Sequence, residues 1–198
     1  GIPIIRLFAA SVRFGETSKK KHGIHRRLVS NLGGVAIFAS LLIGFSTSGF
    51  ANALEGYPYI IGALTLLFFT GLKDDVFMLS PRTKLIVQCI AVTAVILGAG
   101  LRIESFYGLF GISQLPFFVS YLVTTFTMIV VMNAFNLIDG IDGLASGFAI
   151  LASLCFGILF SIVGLYGYAV LALFLIAILV MFLVYNFEPA KIFMGDSG

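Results

Sequence analysis

Long apolar stretches separated by short polar segments constrain the fold of this 198-residue chain more than any other feature. An α-helix needs about 20 apolar residues to cross a hydrocarbon core of about 30 Å. Stretches at or near this length are 32–50, 57–72, 85–101, 117–132, 144–164 and 166–187, and residues 2–14 look like the end of a further span. Only 11% of residues are charged, against about 25% in soluble domains. We predict an all-α, polytopic transmembrane helix bundle forming one domain over residues 1–198.

Basic residues are unevenly distributed among the seven polar connections, which are 15–31, 51–56, 73–84, 102–116, 133–143, 164–167 and 188–198. Of the Lys and Arg residues in these seven connections, all but Arg102 lie in the odd-numbered ones. Excess positive charge marks the cytoplasmic side of a membrane. We therefore expect a multi-pass protein of the cell (inner) membrane whose odd-numbered connections face the cytoplasm. The aromatic-rich connection 102–116 is then an external interfacial segment.

Two carboxylates, Asp74 and Asp75, follow the second apolar stretch, where a helix is expected to end. Negative charge at a helix C-terminus opposes the helix dipole by about 0.3–1 kcal/mol for each group. Carboxylates in so apolar a chain indicate function, because they are tolerated there only when paired, metal-bound or facing water. The simpler alternative is a solvated helix end neutralised by Lys73.

The next helix is predicted to begin with two cations in its first turn. Ser80 is the expected N-cap and Pro81 the first helical residue. Arg82 and Lys84 then add positive charge where the helix dipole is already positive, which suits binding of an anion such as phosphate. The alternative is ordinary flanking of a span by basic residues.

Four polar residues recur at intervals of three near the fourth predicted span: Asn133, Asn136, Asp139 and Asp142. This spacing places them close to one face if the helix continues. Their oxygens suit a hard cation, or hydrogen bonding to a polar ligand. Asp142 alone has a second explanation, as the cap of the helix that begins near Leu144.

The last motif places Asp196 in a glycine-flanked turn after Lys191. Gly-Asp-Ser-Gly also surrounds the nucleophile of one class of serine proteases, but a helical membrane chain argues against that class. A carboxylate in this position fits a metal ligand better. His25, in the basic first connection, is open to a functional role, although a lone loop histidine is more often solvated.

Together these motifs resemble the polyprenyl-phosphate N-acetylhexosamine-1-phosphate transferase family. The matching segments are Gly71–Asp75, Leu79–Leu85, Asn133–Ala145 and Pro189–Gly198. The resemblance implies a bundle of about ten or eleven transmembrane helices with a cytoplasmic active-site cleft. It also implies transfer of a sugar-1-phosphate from a UDP-sugar to undecaprenyl phosphate with release of UMP, the first membrane step of cell-wall or surface-polysaccharide synthesis.

The resemblance also assigns roles to individual residues. Asp74 and Asp75 are the expected catalytic pair that handles the lipid phosphate, with Asp74 as candidate base. Asp196, joined by Asn136, is the expected ligand of Mg²⁺, for which Mn²⁺ could substitute. The expected substrate-binding residues are Lys84 for the pyrophosphate, Asn133, Asp139 and Asp142 for the nucleotide sugar, and His25.

The expected partners are the UDP-sugar, undecaprenyl phosphate and the bilayer, with no nucleic acid; a homodimer is compatible. Both ends look cut, since the chain begins at Gly1 and stops after Asp196, and a histidine-bearing loop of the family is expected beyond Gly198. Leu28 and Ser30 also depart from the family's usual prolines. The main rival function is a multi-pass transporter whose acidic gate lies at the cytoplasmic face. Direct transfer and a covalent aspartyl intermediate both remain open as mechanisms.

Overall fold

The computed structural model describes residues 33–50 and 54–198, which form α-helices and one short 3₁₀ turn. In chain order the helices are α1 (Gly33–Thr47), α2 (Tyr57–Phe77), α3 (Pro81–Gly98), α4 (Phe117–Ile138), α5 (Leu144–Ile162) and α6 (Tyr166–Asn186). The all-α prediction is confirmed. Four helices, α3 to α6, are long and apolar enough to span a membrane, and α1 is apolar but shorter. The chain is therefore a polytopic helical membrane protein.

The helices extend further into the polar clusters than the apolar stretches predict. α2 continues to Phe77 and α4 to Ile138, while α3 begins at Pro81. The start of α3 is fixed as expected, because the Ser80 side chain accepts a hydrogen bond from the Thr83 N–H at 3.2 Å. As a result, Asp74, Asp75, Arg82 and Lys84 sit on terminal helical turns, whose backbone holds them in defined directions.

Two apolar clusters hold the bundle together. One joins α1 to α6 and to the segment that follows α6, and it comprises Ile37, Leu179, Phe182, Ile192 and Met194. The other joins α2 to α3 and comprises Ala63, Ala91 and Val95. Small residues in the second cluster let the two helix backbones approach closely, as is common between transmembrane helices.

The outer surface of the bundle is strongly apolar. Phe126 and Leu137 on α4 are 71% and 80% exposed, and Leu173 on α6 is 61% exposed. In water such a surface would be costly, whereas hydrocarbon accepts it. The exposed faces of the helices are thus the faces expected to contact lipid.

The bundle has two ends of different character. At the first, which we call the Asp196 end, the C-termini of α2, α4 and α6 meet the N-termini of α1, α3 and α5 and the segment 187–198. At the second, the Arg102 end, the connection 99–116 joins α3 to α4. The 18 residues of α3 separate the two ends by about 27 Å, at about 1.5 Å per residue.

Candidate active site

The segment after α6 folds back across the Asp196 end and docks on α1. The backbone N–H groups of Gly33 and Gly34 donate to the carbonyl oxygens of Phe193 and Met194, at 3.0 and 2.8 Å. Both N–H groups lie in the first turn of α1, where the helix itself offers them no acceptor. The segment after α6 supplies the missing acceptors. A side chain on Gly34 would overlap the backbone of Ser197 and Gly198. The absence of a Cβ is therefore what allows this close approach.

Gly71 of α2 supports the same segment from the other side. A Cβ at this buried position would overlap the carbonyl oxygen of Asp196. One helical turn later, Asp75 accepts hydrogen bonds from two successive backbone N–H groups, Asp196 N to Oδ1 at 2.9 Å and Ser197 N to Oδ2 at 3.1 Å. Asp75 thus fixes the turn that carries the Asp196 side chain.

Two further carboxylates hold this segment through its backbone. Asp139, directly after α4, accepts from the Gly195 N–H at 3.1 Å, and Asp142 accepts from the Ala190 N–H at 2.9 Å. The alternative of Asp142 as a helix cap is wrong, because α5 has Gly143 as its N-cap residue and no side-chain cap bond. Both acids therefore link the α4–α5 turn to the segment that bears Asp196.

The Lys84 ammonium lies between two carboxylates from distant parts of the chain. It forms ion pairs with Asp74, at 2.5 Å, and with Asp196. The Asn136 amide also donates to Asp196, and the Leu79 N–H donates to Asp74. The charges that oppose the dipoles of α2 and α3 thus compensate one another across the gap between the helices.

The two cations of α3 have different surroundings. Lys84 is occupied by carboxylates, whereas Arg82 is exposed and makes no ion pair within residues 33–50 and 54–198. Lys73 is likewise exposed and pairs with no carboxylate in the part of the chain described. Neutralisation of Asp74 therefore comes from Lys84, which the sequence places on the next helix.

Asn133 stands apart from the other members of the Asn/Asp series. Its amide donates to Gln88 Oε1 of α3 at 3.1 Å and to the Ile129 carbonyl oxygen of its own helix at 2.8 Å. One turn further along, Asn136 reaches Asp196. The four residues of the Asn/Asp series therefore contact different groups around the Asp196 end, although their regular spacing suggests a single shared ligand.

Burial perturbs the carboxylates that hold the Asp196 turn. It raises the pKa of Asp75 to about 6, against an ordinary value of 3.8, although the backbone N–H groups that it accepts from act in the opposite direction. Burial also raises the pKa of Asp139, again opposed by backbone hydrogen bonding. These two acids accept protons more readily than solvated carboxylates do.

The two carboxylates at Lys84 shift in opposite directions. Burial, followed by the neighbouring Asp196, raises the pKa of Asp74. Burial acts upward on Asp196 as well, but hydrogen bonds with Asp74, Lys84 and Asn136 outweigh it and hold the pKa of Asp196 below its usual value. Asp196 is accordingly the group that stays ionised, and Asp74 is the better proton acceptor of the two.

The residues at this end suit a hard divalent cation when phosphate is also present. Among the described residues, no group of three or more His, Cys, Asp or Glu side chains is arranged to hold a metal ion alone. Mg²⁺, however, usually takes one or two carboxylates and completes its shell with water and substrate phosphates. Asp74, Asp196 and the amide of Asn136 supply oxygen donors, and Asp139 Oδ1 is buried with no hydrogen-bond partner in the described structure. The donor set therefore fits.

Asn186 is a functional candidate that the sequence analysis missed. Its side chain is 1% exposed, and its Oδ1 accepts from the Gly143 N–H at 3.1 Å and the Ser146 hydroxyl at 3.0 Å. Its Nδ2 donates to the Ile192 carbonyl oxygen at 2.9 Å. A lone amide at the end of the most apolar helix was the available signal. Asn186 ties α5, α6 and the Asp196 segment together.

His25, which we predicted to bind substrate, lies outside the described residues, as do Leu28, Ser30 and the basic run 19–27. Those interpretations stay predictions. The structure does bring together six of the predicted residues: Asp74, Asp75, Lys84, Asn136, Asp139 and Asp196. Asp142 contacts the segment 187–198 further back, at Ala190, and Asn133 faces α3. The polar motifs within the described residues thus meet at one end of the bundle.

Comparison with known proteins gives a family match over residues 57–198, to glycosyl transferase family 4. A probable undecaprenyl-phosphate N-acetylglucosaminyl 1-phosphate transferase of Bacillus subtilis (strain 168) is 31% identical over 99% of this chain and 54% of the relative. An undecaprenyl-phosphate alpha-N-acetylglucosaminyl 1-phosphate transferase of Thermotoga maritima is 35% identical, over 98% and 55%. A phospho-N-acetylmuramoyl-pentapeptide-transferase of Desulforamulus reducens is 33% identical, over 83% and 52%. The chain spans about half the length of these curated relatives.

Proposed function

Since this chain belongs to glycosyl transferase family 4, we propose that the whole protein transfers an N-acetylhexosamine-1-phosphate from a UDP-sugar to undecaprenyl phosphate and releases UMP. The reaction would begin the membrane stage of cell-wall or surface-polysaccharide synthesis. One observation carries the proposal: Asp74, Lys84 and Asp196 meet where the apolar helices end. A lipid phosphate from the bilayer and a nucleotide sugar from water can both reach charged groups in that position.

The relatives support the choice of substrates. The B. subtilis and T. maritima proteins bear names that specify N-acetylglucosaminyl 1-phosphate transfer to undecaprenyl phosphate. The transporter alternative is not supported, because these names describe transferases. In addition, the acids of the Asp196 end lie on terminal turns or in the connections beyond them rather than at mid-span. The D. reducens relative acts on a muramoyl-pentapeptide by name, so the sugar itself is best tested with several donors.

In the proposed reaction, an oxygen of the lipid phosphate forms a bond to the sugar-bearing phosphorus of the donor. The bond from that phosphorus to the bridging oxygen breaks, and the electron pair leaves with UMP. A phosphate monoester has a second pKa of about 6, so the nucleophile is largely ionised at pH 7 and needs little base strength. Asp74, whose pKa is raised by burial and by Asp196, is placed to accept any remaining proton.

Positioning and charge neutralisation are then the main tasks of the protein. Lys84 is proposed to stabilise the pyrophosphate. When the donor binds, its ammonium group would leave one of its two carboxylate partners and contact phosphate oxygens instead. Asp196, with Asn136, is proposed to hold Mg²⁺ or Mn²⁺, and such an ion would neutralise charge on the pyrophosphate and on the leaving UMP. Asp75 and Asp139 keep the Asp196 turn in place through its backbone. Asn133, Asp139 and Asp142 remain proposed contacts to the nucleotide sugar, and His25 remains a proposed substrate-binding residue.

We further propose that the Asp196 end faces the cytoplasm, with the protein in the cell (inner) membrane. Support comes from the distribution of basic residues. Lys73, Arg82, Lys84 and Lys191 lie at the Asp196 end, whereas Arg102 is the cation of the connection at the other end. Positive charge is concentrated on the cytoplasmic side of membrane proteins.

The direct test uses the purified full-length protein with undecaprenyl phosphate and a panel of UDP-sugars, and it measures UMP release and the lipid product with and without Mg²⁺. We expect transfer with an N-acetylhexosamine donor and loss of that activity in Asp196→Ala. Glu104→Ala is the matched control, because it removes a carboxylate at the opposite end of the bundle. Absence of product with every donor would disprove the proposed reaction, and metal-dependent turnover by Asp196→Ala would disprove the ligand role.

Rapid-quench measurements with labelled donor distinguish the two mechanisms. Direct transfer predicts that no label attaches to the protein when the lipid acceptor is omitted. A covalent path would require the Asp74 carboxylate to attack the sugar-bearing phosphorus first and to release UMP before the acceptor binds. A labelled protein adduct that disappears in Asp74→Asn would therefore overturn direct transfer.

A further inference from the structure

The connection between α3 and α4, residues 99–116, is left without a role by the proposed reaction. Its only charged residues are Arg102 and Glu104, and these form an ion pair with each other at 2.9 Å. The Arg102 guanidinium also lies over the ring of Phe117, 5.1 Å from its centre, and donates to the Ser120 hydroxyl at 3.1 Å. The connection therefore presents no uncompensated charge.

The base of the connection is fixed to buried hydroxyl groups of α4. The Ser120 hydroxyl donates to the Ile103 carbonyl oxygen at 2.6 Å, and the Ile103 N–H donates to the Thr124 hydroxyl at 2.9 Å. Ser120 is completely buried and Thr124 is 5% exposed. Because both backbone polar groups of Ile103 are satisfied by α4, the start of the connection is held at the first turns of that helix.

The tip of the connection, residues 107–112, combines exposed apolar side chains with backbone N–H groups that are mostly hydrogen-bonded. Tyr107 is 96% exposed, Leu109 61% and Ile112 40%. The N–H groups of Tyr107, Gly108, Leu109, Gly111 and Ile112 all donate to acceptors within the connection. Bilayers accept irregular backbone poorly unless its polar groups are satisfied in this way. A water-facing loop would not need either property.

The tip is also continuous with an exposed apolar surface of α4, of the kind that hydrocarbon accepts. Phe118, Leu122 and Phe126 form an exposed stripe along α4, at intervals of four residues, and this stripe begins where the connection ends. Tyrosine is enriched at the boundary between hydrocarbon and water, where its ring and hydroxyl meet different surroundings. The position of Tyr107 beyond the end of a span suits that boundary.

We propose that the tip, through Tyr107, Leu109 and Ile112, inserts into the interfacial layer of the bilayer leaflet at the Arg102 end. The occupant of this surface is thus lipid, and the paired charges of Arg102 and Glu104 are what make insertion possible. The tip then fixes the depth of α3 and α4 in the membrane. This role is separate from the proposed transfer reaction, and it can be tested without any activity measurement.

The test places a nitroxide label on Leu109→Cys and, as a matched control, on Gln114→Cys, an exposed polar position of the same connection. The full-length protein carries alanine at its native cysteines and is reconstituted in phosphatidylglycerol-containing nanodiscs. Collision rates with oxygen and with a water-soluble nickel chelate are measured by electron paramagnetic resonance. We expect several-fold lower nickel access and higher oxygen access at position 109 than at 114.

Equal nickel access at the two positions would overturn the proposal, because the tip would then lie in water. Low access of both reagents at position 109 would also overturn it, because the tip would then be covered by protein. A second variant tests the role of charge: Glu104→Lys places two cations beside each other at the base. It should raise nickel access at position 109, and an unchanged rate would refute the requirement for neutral charge.

Discussion

The two ends of the bundle manage their charges in opposite ways. At the Arg102 end, an arginine and a glutamate two positions apart in the sequence pair with each other. At the Asp196 end, Lys84 pairs with a carboxylate 112 positions away, and several further acids use backbone N–H groups as partners. A local pair needs no fold to form it, whereas the distant set exists only when α2, α3, α4 and the segment after α6 are brought together. This difference supports our assignment of the proposed charged substrates to the Asp196 end.

The largest expected contrast between the ends comes from removing one cation from each. Lys84→Met leaves Asp74 and Asp196 facing each other without an ammonium group and removes the proposed contact to the pyrophosphate. We expect kcat to fall by about 10²–10³-fold, the usual cost of losing one electrostatic stabiliser of a transition state. Arg102→Met leaves Glu104, which is 64% exposed, free to be solvated, and should leave kcat unchanged.

Steady-state kinetics of the full-length protein, at saturating lipid acceptor, measure this contrast. Both variants should elute as monodisperse proteins from size-exclusion chromatography, which controls for misfolding. If Arg102→Met lost as much activity as Lys84→Met, the functional distinction between the two ends would be wrong.

The second contrast compares two glycines of α2. A methyl group at Gly71 overlaps the Asp196 carbonyl oxygen, whereas one at Gly62 meets no atom within 4 Å. Gly71→Ala should therefore displace the Asp196 turn and lower kcat by about 10²-fold, since a shift of about 1 Å in a catalytic group has that effect. Gly62→Ala should be neutral in activity and in melting temperature. Similar kinetics for the two variants would show that the close contact has no functional importance.

The third contrast concerns two buried polar side chains, Asn186 at the Asp196 end and Ser120 at the Arg102 end. Each makes hydrogen bonds that join separate parts of the chain. Truncation to alanine should cost about 1–3 kcal/mol of stability in each case, because buried partners lose their hydrogen bonds. Thermal unfolding in detergent measures this cost.

Only one of these two variants should affect catalysis. Asn186→Ala loosens the segment that carries Asp196. If Asp196 is a metal ligand as proposed, kcat should fall by about 10–100-fold, the usual effect of losing a residue that orients such a ligand. Ser120→Ala should retain its kcat at temperatures where it is folded. If the two variants have equal melting temperatures but unequal kcat, Asn186 positions Asp196 in addition to stabilising the fold. A loss of kcat in Ser120→Ala would contradict this distinction.

The sequence allows the helices and their polar ends to be predicted, but the internal arrangement of the site only in part. Apolar length locates the spans, and local rules correctly identify the Ser80 cap. The donors to Asp75, Asp139 and Asp142 could not be predicted, because they are backbone N–H groups on a distant segment. Helices that are apolar on all sides give no sign of which faces pair. The close approach of Gly71 to Asp196 depends on that pairing.

The smallest expected effect is a dependence of stability on pH that belongs to the Asp196 end. Burial raises the pKa of Asp75 to about 6 from an ordinary 3.8, so the folded protein binds this proton more tightly than the unfolded chain does. Its contribution to stability is therefore fully present below about pH 3.8 and is lost as the pH rises to about 6. Asp139, whose pKa is raised by burial, acts in the same direction.

Melting temperatures measured with EDTA present, so that divalent cations do not mask the carboxylates, should accordingly decrease as the pH rises from about 4 to about 6. Asp75→Asn should reduce that slope without removing it, because Asp139 still contributes. Glu104→Gln removes an exposed carboxylate from the Arg102 end and should leave the slope unchanged. A slope that is reduced equally by both substitutions would mean that the response belongs to net charge. If only Asp75→Asn reduces the slope, the pH response arises in the turn that carries Asp196, where a cation and phosphates are proposed to bind.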